Sequence, residues 1–112
     1  MKKTESITQN YVFRAAYRRG RNVSCKNMVV YAWKNRQKTA NRLGLTVSTK
    51  LGCAVVRNRI RRRLREAYRL IEDELCAGYD IIIVARASCE SSDFEQLKSN
   101  MREAFEKLGV IQ

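Results

Sequence analysis

Between Val55 and Leu75 the apolar residues Ile60, Leu64, Ala67, Ile71 and Leu75 recur every three or four positions. An α-helix gathers that period onto one face. Threaded through the same stretch, VVRNRIRRRLREAYRL, are seven arginines between Arg57 and Arg69 and a single acid, Glu66. The apolar stripe requires a partner layer, so this helix, expected from near Ala54 to about Leu75, lies against a core. With Ile60 at the centre of the buried face, Arg61, Arg65 and Arg69 form an i, i+4, i+8 ridge on one flank. Arg59, Arg62 and Arg63 fall on the other flank with Glu66. Same-sign pairs at this spacing cost about 0.2–0.5 kcal/mol each, and one acid cannot relieve them. Neutralisation therefore comes from outside, and arginine's planar fork suits phosphate oxygens. A solvated charged face is the bland alternative. A nuclear address needs an accessible unfolded run, which the apolar period argues against.

The rest of the chain supplies the partner layer. Ser6 with Gln9 can form a capping box for a helix through Asn10–Tyr17 that stops at Gly20. Asn22–Cys25, a turn at Lys26-Asn27, and MVVYAW (28–33) read as a hairpin. The polar run 34–41 reads as a loop. RLGLTVS (42–48) alternates Leu43, Leu45 and Val47 with Gly44, Thr46 and Ser48, the pattern of a half-buried strand whose second face is small or hydroxylic. YDIIIVA (79–85) is an unbroken apolar run suited to a central strand covered on both faces. Ser92 with Glu95 reads as another capping box, and Phe94, Leu97, Met101, Ala104, Phe105 and Leu108 trace the core face of a last helix ending at Gly109. The acids Glu72, Asp73 and Glu74 come late in the arginine helix, where its dipole does not favour them, so solubility is their expected role. The order α-β-β-β-α-β-α gives an α+β sandwich with a central four-stranded mixed sheet, and 112 residues make it one domain, 1–112.

Charge narrows the partner. Net charge is +12, but residues 1–71 hold 19 Lys/Arg against Glu5 and Glu66, whereas 72–112 hold 4 against 9 acids. One part of the chain is built to meet a polyanion, nucleic acid before membrane. No apolar run approaches the roughly 20 residues of a membrane span, and MKKTESITQN has no apolar segment of a secretory signal, so the expected location is the cytoplasm. Cys25, Cys53, Cys76 and Cys89 lie 28, 23 and 13 positions apart, with no histidine in the chain. That spacing suits reduced thiols rather than a zinc site or a disulfide framework. Arg57-Asn58-Arg59 falls in the first turns of the helix, where free amides attract anions; Asn58 either contacts a sugar, base edge or hydrated metal, or caps the helix locally. Phe13 and Tyr17, at i and i+4 among arginines, and Tyr31, beside Val29 and Trp33, either pack in the core or stack on bases. The sequence shows no nucleophile–base constellation and no glycine-rich phosphate loop.

The segment RLGLTVSTKLGCAVVRNRIRRRLREAYR (42–69) resembles the signature of the protein component of bacterial ribonuclease P. The resemblance extends upstream through Phe13, Tyr17, Gly20 and Tyr31 and downstream to YDIIIVAR (79–86). It implies the same element order, with a left-handed crossover between parallel strands that breaks a general rule. It implies a non-catalytic subunit of a ribonucleoprotein endonuclease, whose RNA removes the 5′ leader from precursor tRNA. The magnesium ions are then held mainly by the RNA and no cofactor by the protein. By position, Arg57, Asn58, Arg59, Arg61, Arg62, Arg63, Arg65 and Arg69 would contact the catalytic RNA. Phe13, Tyr17, Tyr31, Ser48 and Lys50 would line a cleft for the leader. The implied partners are the catalytic RNA and precursor tRNA, one protein per RNA, and no membrane. Thr49 stands where the family commonly has lysine and Cys53 where a polar residue is usual, which alters local cleft charge. A general RNA-binding or ribosomal-type structural protein is the competing function; it needs the basic helix but not the aromatic cleft. Membrane-surface binding would need apolar residues exposed beside the arginines, and here the core is expected to use them.

Overall fold

In the computed structural model, which describes residues 4–6, 18, 21–35 and 40–112, the run YDIIIVA forms the middle strand of a mixed sheet. The described strands are β1 (Thr4–Ser6), β2 (Arg21–Ser24), β3 (Met28–Lys34), β4 (Asn41–Thr46) and β5 (Tyr79–Ala85), in the spatial order β1-β4-β5-β3-β2. The hairpin of β2 and β3 is antiparallel, with the Cys25 amide donating to the Met28 carbonyl at 2.7 Å to close the turn. β5 pairs antiparallel with β3 and parallel with β4. A parallel pair needs a crossover, and helix α1 (Ala54–Ile71) supplies it between β4 and β5. Helix α2 (Phe94–Leu108) follows.

The α+β class and mixed sheet agree with the sequence reading, with one addition. Four strands were expected; β1 is a fifth, a short edge strand parallel to β4 with Thr4 opposite Asn41 and Ser6 opposite Leu43. Three polar residues held mainly by backbone pairing leave no apolar pattern to read. Ser6, expected to cap a helix, thus ends a strand. The helix read over 10–17 lies outside the described residues.

Both helices cover one face of the sheet. Met28, Val30 and Ala32 of β3, Leu43 of β4, and Ile81, Ile83 and Ala85 of β5 are buried in a core with Ile60, Leu64, Ala67, Tyr68 and Ile71 of α1. From α2 the core takes Leu97, Met101, Ala104, Phe105 and Leu108. The rings of Tyr68 and Phe105 meet edge to face, their centroids 6.1 Å apart. Each fully buried apolar side chain contributes about 1.5–3 kcal/mol, against a few tenths for each arginine repulsion, so the core holds α1 helical despite its charge.

The late acids depart from the expected role. α1 ends at Ile71 and tightens into a 3₁₀ turn, Glu72–Glu74. Glu72 is buried, and Glu74 pairs with Arg102 of α2. The C-terminal segment returns here: the Gln112 amide donates to the Glu74 carbonyl, and Leu75 bridges Ile111. Glu74 thus fastens the end of α1 to α2 through its carboxylate and to the C-terminus through its carbonyl; only Asp73 of the three remains exposed. The capping box expected from Ser92 with Glu95 is absent. Asp93 is the N-cap of α2, while the Ser92 hydroxyl donates to the Ser88 carbonyl at 2.7 Å. At its other end α2 stops as expected at Gly109, whose φ of 75° is the left-handed conformation glycine adopts freely.

Candidate nucleic-acid interface

The arginine helix is launched from a tight link after β4. The Ser48 hydroxyl oxygen accepts the Lys50 amide at 3.1 Å and caps a 3₁₀ turn, Thr49–Leu51. Gly52 follows at φ 147°, where a Cβ would meet Val56 at 2.9 Å, so this position requires glycine on two counts. Cys53 is the helix N-cap, and the first intrahelical bond runs from the Arg57 amide to the Cys53 carbonyl at 3.0 Å. The free amides of the helix start therefore belong to residues 54–56, a turn earlier than the sequence placed them. Asn58 does not cap the helix; its Oδ1 accepts from Arg61 Nη1 at 3.0 Å. The exposed Cys53 thiol has its pKa lowered, chiefly by the backbone amides of Val56 and Val55.

The eight residues read as an RNA-contacting set divide into three groups. Arg63 is half-buried and directed inward: Nη1 donates to the Glu90 carbonyl at 2.6 Å and Nη2 to the Ser92 carbonyl. It clamps the turn that leads into α2, so its first role is structural, which the helical wheel alone could not reveal. Arg57, Arg59 and Arg69 are partly committed. Arg57 Nε donates to the Gly52 carbonyl at 3.2 Å, and Arg59 stands 4.0 Å from Glu90. Arg69 and Glu66, assigned by the wheel to opposite flanks, form a two-pronged pair, with Nε to Oε2 at 3.1 Å and Nη2 to Oε1 at 2.5 Å. The contact lowers the Glu66 pKa. Arg62 and Arg65 are exposed and have no partner among the described residues. With Asn58 and Arg61 they form an unneutralised strip. Val55 and Leu70 are also exposed, at 66% and 47%, contrary to the expectation that the core would use the apolar residues of this helix. They sit at opposite ends of α1, about 22 Å apart by helical rise, and form no patch.

The second surface is the sheet face turned away from the helices. Strand register arranges it in rows: Val29, Val84 and Thr46; then Tyr31, Ile82 and Gly44; then Trp33, Asp80 and Arg42. Ile82 is fully buried beneath Tyr31, Trp33 and Val84. Aromatic side chains therefore rise on the β3 side, while Gly44 and Thr46 leave the β4 side low. Tyr31 is half-buried, and Ser48 and Lys50 are exposed where β4 runs into the link to α1. Of the five expected cleft residues, Tyr31 lies on this face, and Ser48 and Lys50 follow the end of β4. Phe13 and Tyr17 lie outside the described residues; Arg18 is helical and exposed.

At the far end of the face Asp80 is buried and matched. It accepts Arg42 Nε at 2.7 Å and Nη2 at 2.5 Å, with Asn35 Nδ2 at 3.1 Å from Oδ1. A lone Asp in an apolar strand, with Arg42 on a neighbouring strand, was the available signal for this pair. The four cysteines are free thiols, Cys89 buried and Cys25 and Cys76 half-buried. Burial pushes the Cys89 pKa up to about 11.

These features define a class: a small α+β protein with an arginine strip on its helical layer, unpaired among the described residues, and with Tyr31 and Trp33 set beside small residues on the opposite sheet face. The chain belongs to the ribonuclease P protein family, whose model, Ribonuclease P, matches residues 1–109. It is 39% identical over 109 residues to a ribonuclease P protein component of Clostridium botulinum, covering 96% of this chain and 97% of that one. The fold is similar to that of the Staphylococcus aureus RNase P protein, with a TM-score of 0.84 and 32% identity over 96% of this chain and 97% of that one. The Thermotoga maritima RNase P protein follows at 0.78 and 25%, covering 88% and 93% of the two chains.

Proposed function

We propose that this chain is the non-catalytic protein subunit of a bacterial ribonuclease P, a single RNA-binding domain that assists a catalytic RNA in removing the 5′ leader from precursor tRNA. The strip of Asn58, Arg61, Arg62 and Arg65 lies on the catalytic RNA, with Arg57, Arg59 and Arg69 at its margins and Arg63 acting through the fold. The trough beside Tyr31 receives the unpaired leader, with Phe13 and Tyr17 completing its wall and Ser48 and Lys50 at its exit. One protein serves one RNA, in the cytoplasm. Among the described residues no helix is long and apolar enough to cross a membrane. No group of three or more acidic or sulfur side chains among them could hold a metal ion, and the reading leaves magnesium to the RNA.

One observation carries this reading. Arg62 and Arg65 stand exposed on a core-anchored helix where the neighbouring acid, Glu66, is taken by Arg69, in a family defined by an RNA-dependent nuclease. Phosphates supply the missing charge. A ribosomal-type structural protein, the competing reading, needs the basic helix but not the aromatic wall. The test is reconstitution with a bacterial ribonuclease P RNA at low magnesium. Added protein is expected to stimulate precursor tRNA cleavage and to favour leader-bearing over mature tRNA. Failure to stimulate would overturn the subunit reading, and equal affinity for the two tRNAs would overturn the leader trough.

A further inference from the structure

One large aromatic side chain on the sheet face has no place in the leader path drawn above. Trp33 lies on β3 two residues beyond Tyr31, on the same side of the sheet, because cross-strand register sets Tyr31 beside Ile82 and Trp33 beside Asp80. Adjacent rows are about 6.6 Å apart along a strand, a step comparable to that between successive nucleotides of an extended single strand. Trp33 is half-buried and packs against Ile82. The carboxylate next to it offers no free negative charge, since Asp80 is held by both Arg42 prongs and by Asn35. Trp33 is thus a broad π-surface in a locally neutral setting, continuous with the Tyr31 row, on a chain of net charge +12. Unpaired bases stack on such surfaces regardless of sequence.

The geometry points to Trp33 as a second stacking platform, so that the trough holds two successive unpaired leader bases, one on Tyr31 and the next on Trp33. This rests on the leader reading above and extends it by one nucleotide toward the Arg42–Asp80 end.

Trp33 is the only tryptophan in the chain, so its fluorescence reports on this position alone. The protein, assembled with a bacterial ribonuclease P RNA, is titrated with mature tRNA and with precursors whose leaders lengthen one nucleotide at a time. Emission is expected to stay constant up to a threshold length and to be quenched one nucleotide beyond the length at which Tyr31→Ala first weakens binding. At that length Trp33→Leu should bind about 5- to 20-fold more weakly. Trp33→Phe should recover most of the loss, and mature tRNA should bind both variants normally. Emission indifferent to leader length, or a Trp33→Leu defect equal for mature and leader-bearing tRNA, overturns the assignment. If leader length still raises affinity in that case, only the Trp33 platform falls. If mature and leader-bearing tRNA bind the native assembly equally, the leader reading falls and the platform with it.

Discussion

Helices α1 and α2 cover the same sheet and enter the same core, yet their charges are organised in opposite ways. In α2 the first turn carries Glu95 and the last Lys107, each matched to the helix dipole. Its cations are paired: Lys98 with Glu95, Lys107 with Glu103, and Arg102 with both Glu106 and Glu74. In α1 the first turn holds no acid, and Arg57 and Arg59 crowd the positive end of the dipole. Glu66 is the only acid within this helix, and it pairs with Arg69 rather than with either of them. A helix that satisfies its local rules needs nothing more than the core. A helix that violates them while remaining anchored by Ile60, Leu64 and Ala67 is, on the proposed reading, holding charge for a partner.

The contrast assumes that both helices stand on one core, and the largest expected effect tests that assumption. Phe105→Ala removes a fully buried ring from α2 that packs edge-on against Tyr68 of α1. It should cost about 3–5 kcal/mol by thermal or urea unfolding, and both helices should melt in a single transition. Two separate transitions would mean that the helices are independent. Tyr68 gives a pH counterpart. Burial raises its pKa from 10 to about 12, opposed by its 2.8 Å hydrogen bond with Thr4. The folded state then retains a proton that the unfolded state releases, so this contribution is intact below pH 10 and is lost as pH rises to 12. A shift of this size corresponds to about 2–3 kcal/mol, and a Tyr68→Phe variant should lack that alkaline decline.

Within α1 the same contrast recurs between Arg63 and Arg65. Arg63→Ala strips two charge-assisted bonds from the Glu90 and Ser92 carbonyls and should lower stability by about 1–2 kcal/mol. Arg65→Ala touches nothing in the described fold and should leave the melting temperature unchanged. It should instead weaken catalytic-RNA binding about 5- to 10-fold and reduce the slope of log affinity against log salt by about 1. If Arg65→Ala destabilised the protein and Arg63→Ala only weakened binding, the partition of the arginines would be reversed.

Apolar period made α1, α2, the hairpin and β5 legible, because burial of a stripe or an alternating face is written in residue type. β1 was not legible, since three polar residues paired mainly through backbone leave no such record. The fates of Glu72 and Glu74 were hidden for a different reason. A late-helix acid is solvated by default, and only the packing of α2 shows that Arg102 meets Glu74. The site followed the same division. The wheel separated the arginines from the buried stripe, but it put Arg69 and Glu66, which pair, on opposite flanks, and it could not tell an arginine aimed at a neighbouring loop from one aimed at solvent. Arg63 and Arg65 look alike in sequence; the position of Glu90 and Ser92 separates them. Trp33 was legible as a face-mate of Tyr31, but its partial exposure beside a neutralised Asp80 depends on register across three strands.

The smallest expected effect compares one acid from each helix. Arg69 holds the Glu66 pKa below the ordinary carboxylate range, so the pair is intact above that range and is lost only as pH falls through the lowered folded value. Both groups are exposed, so Glu66→Gln should leave stability nearly unchanged. It also frees the Arg69 guanidinium on the side proposed to face RNA. Catalytic-RNA affinity should therefore rise about 2- to 3-fold, with a salt slope steeper by about 1. Glu103→Gln in α2 frees Lys107 in the same way and makes the same change in net charge. If long-range attraction alone governed binding, the two substitutions would act alike. If α1 is the contact surface, Glu103→Gln should leave both affinity and slope within error, because a freed cation helps only where a phosphate can reach it. Equal gains from both would reduce the distinction between the helices to net charge.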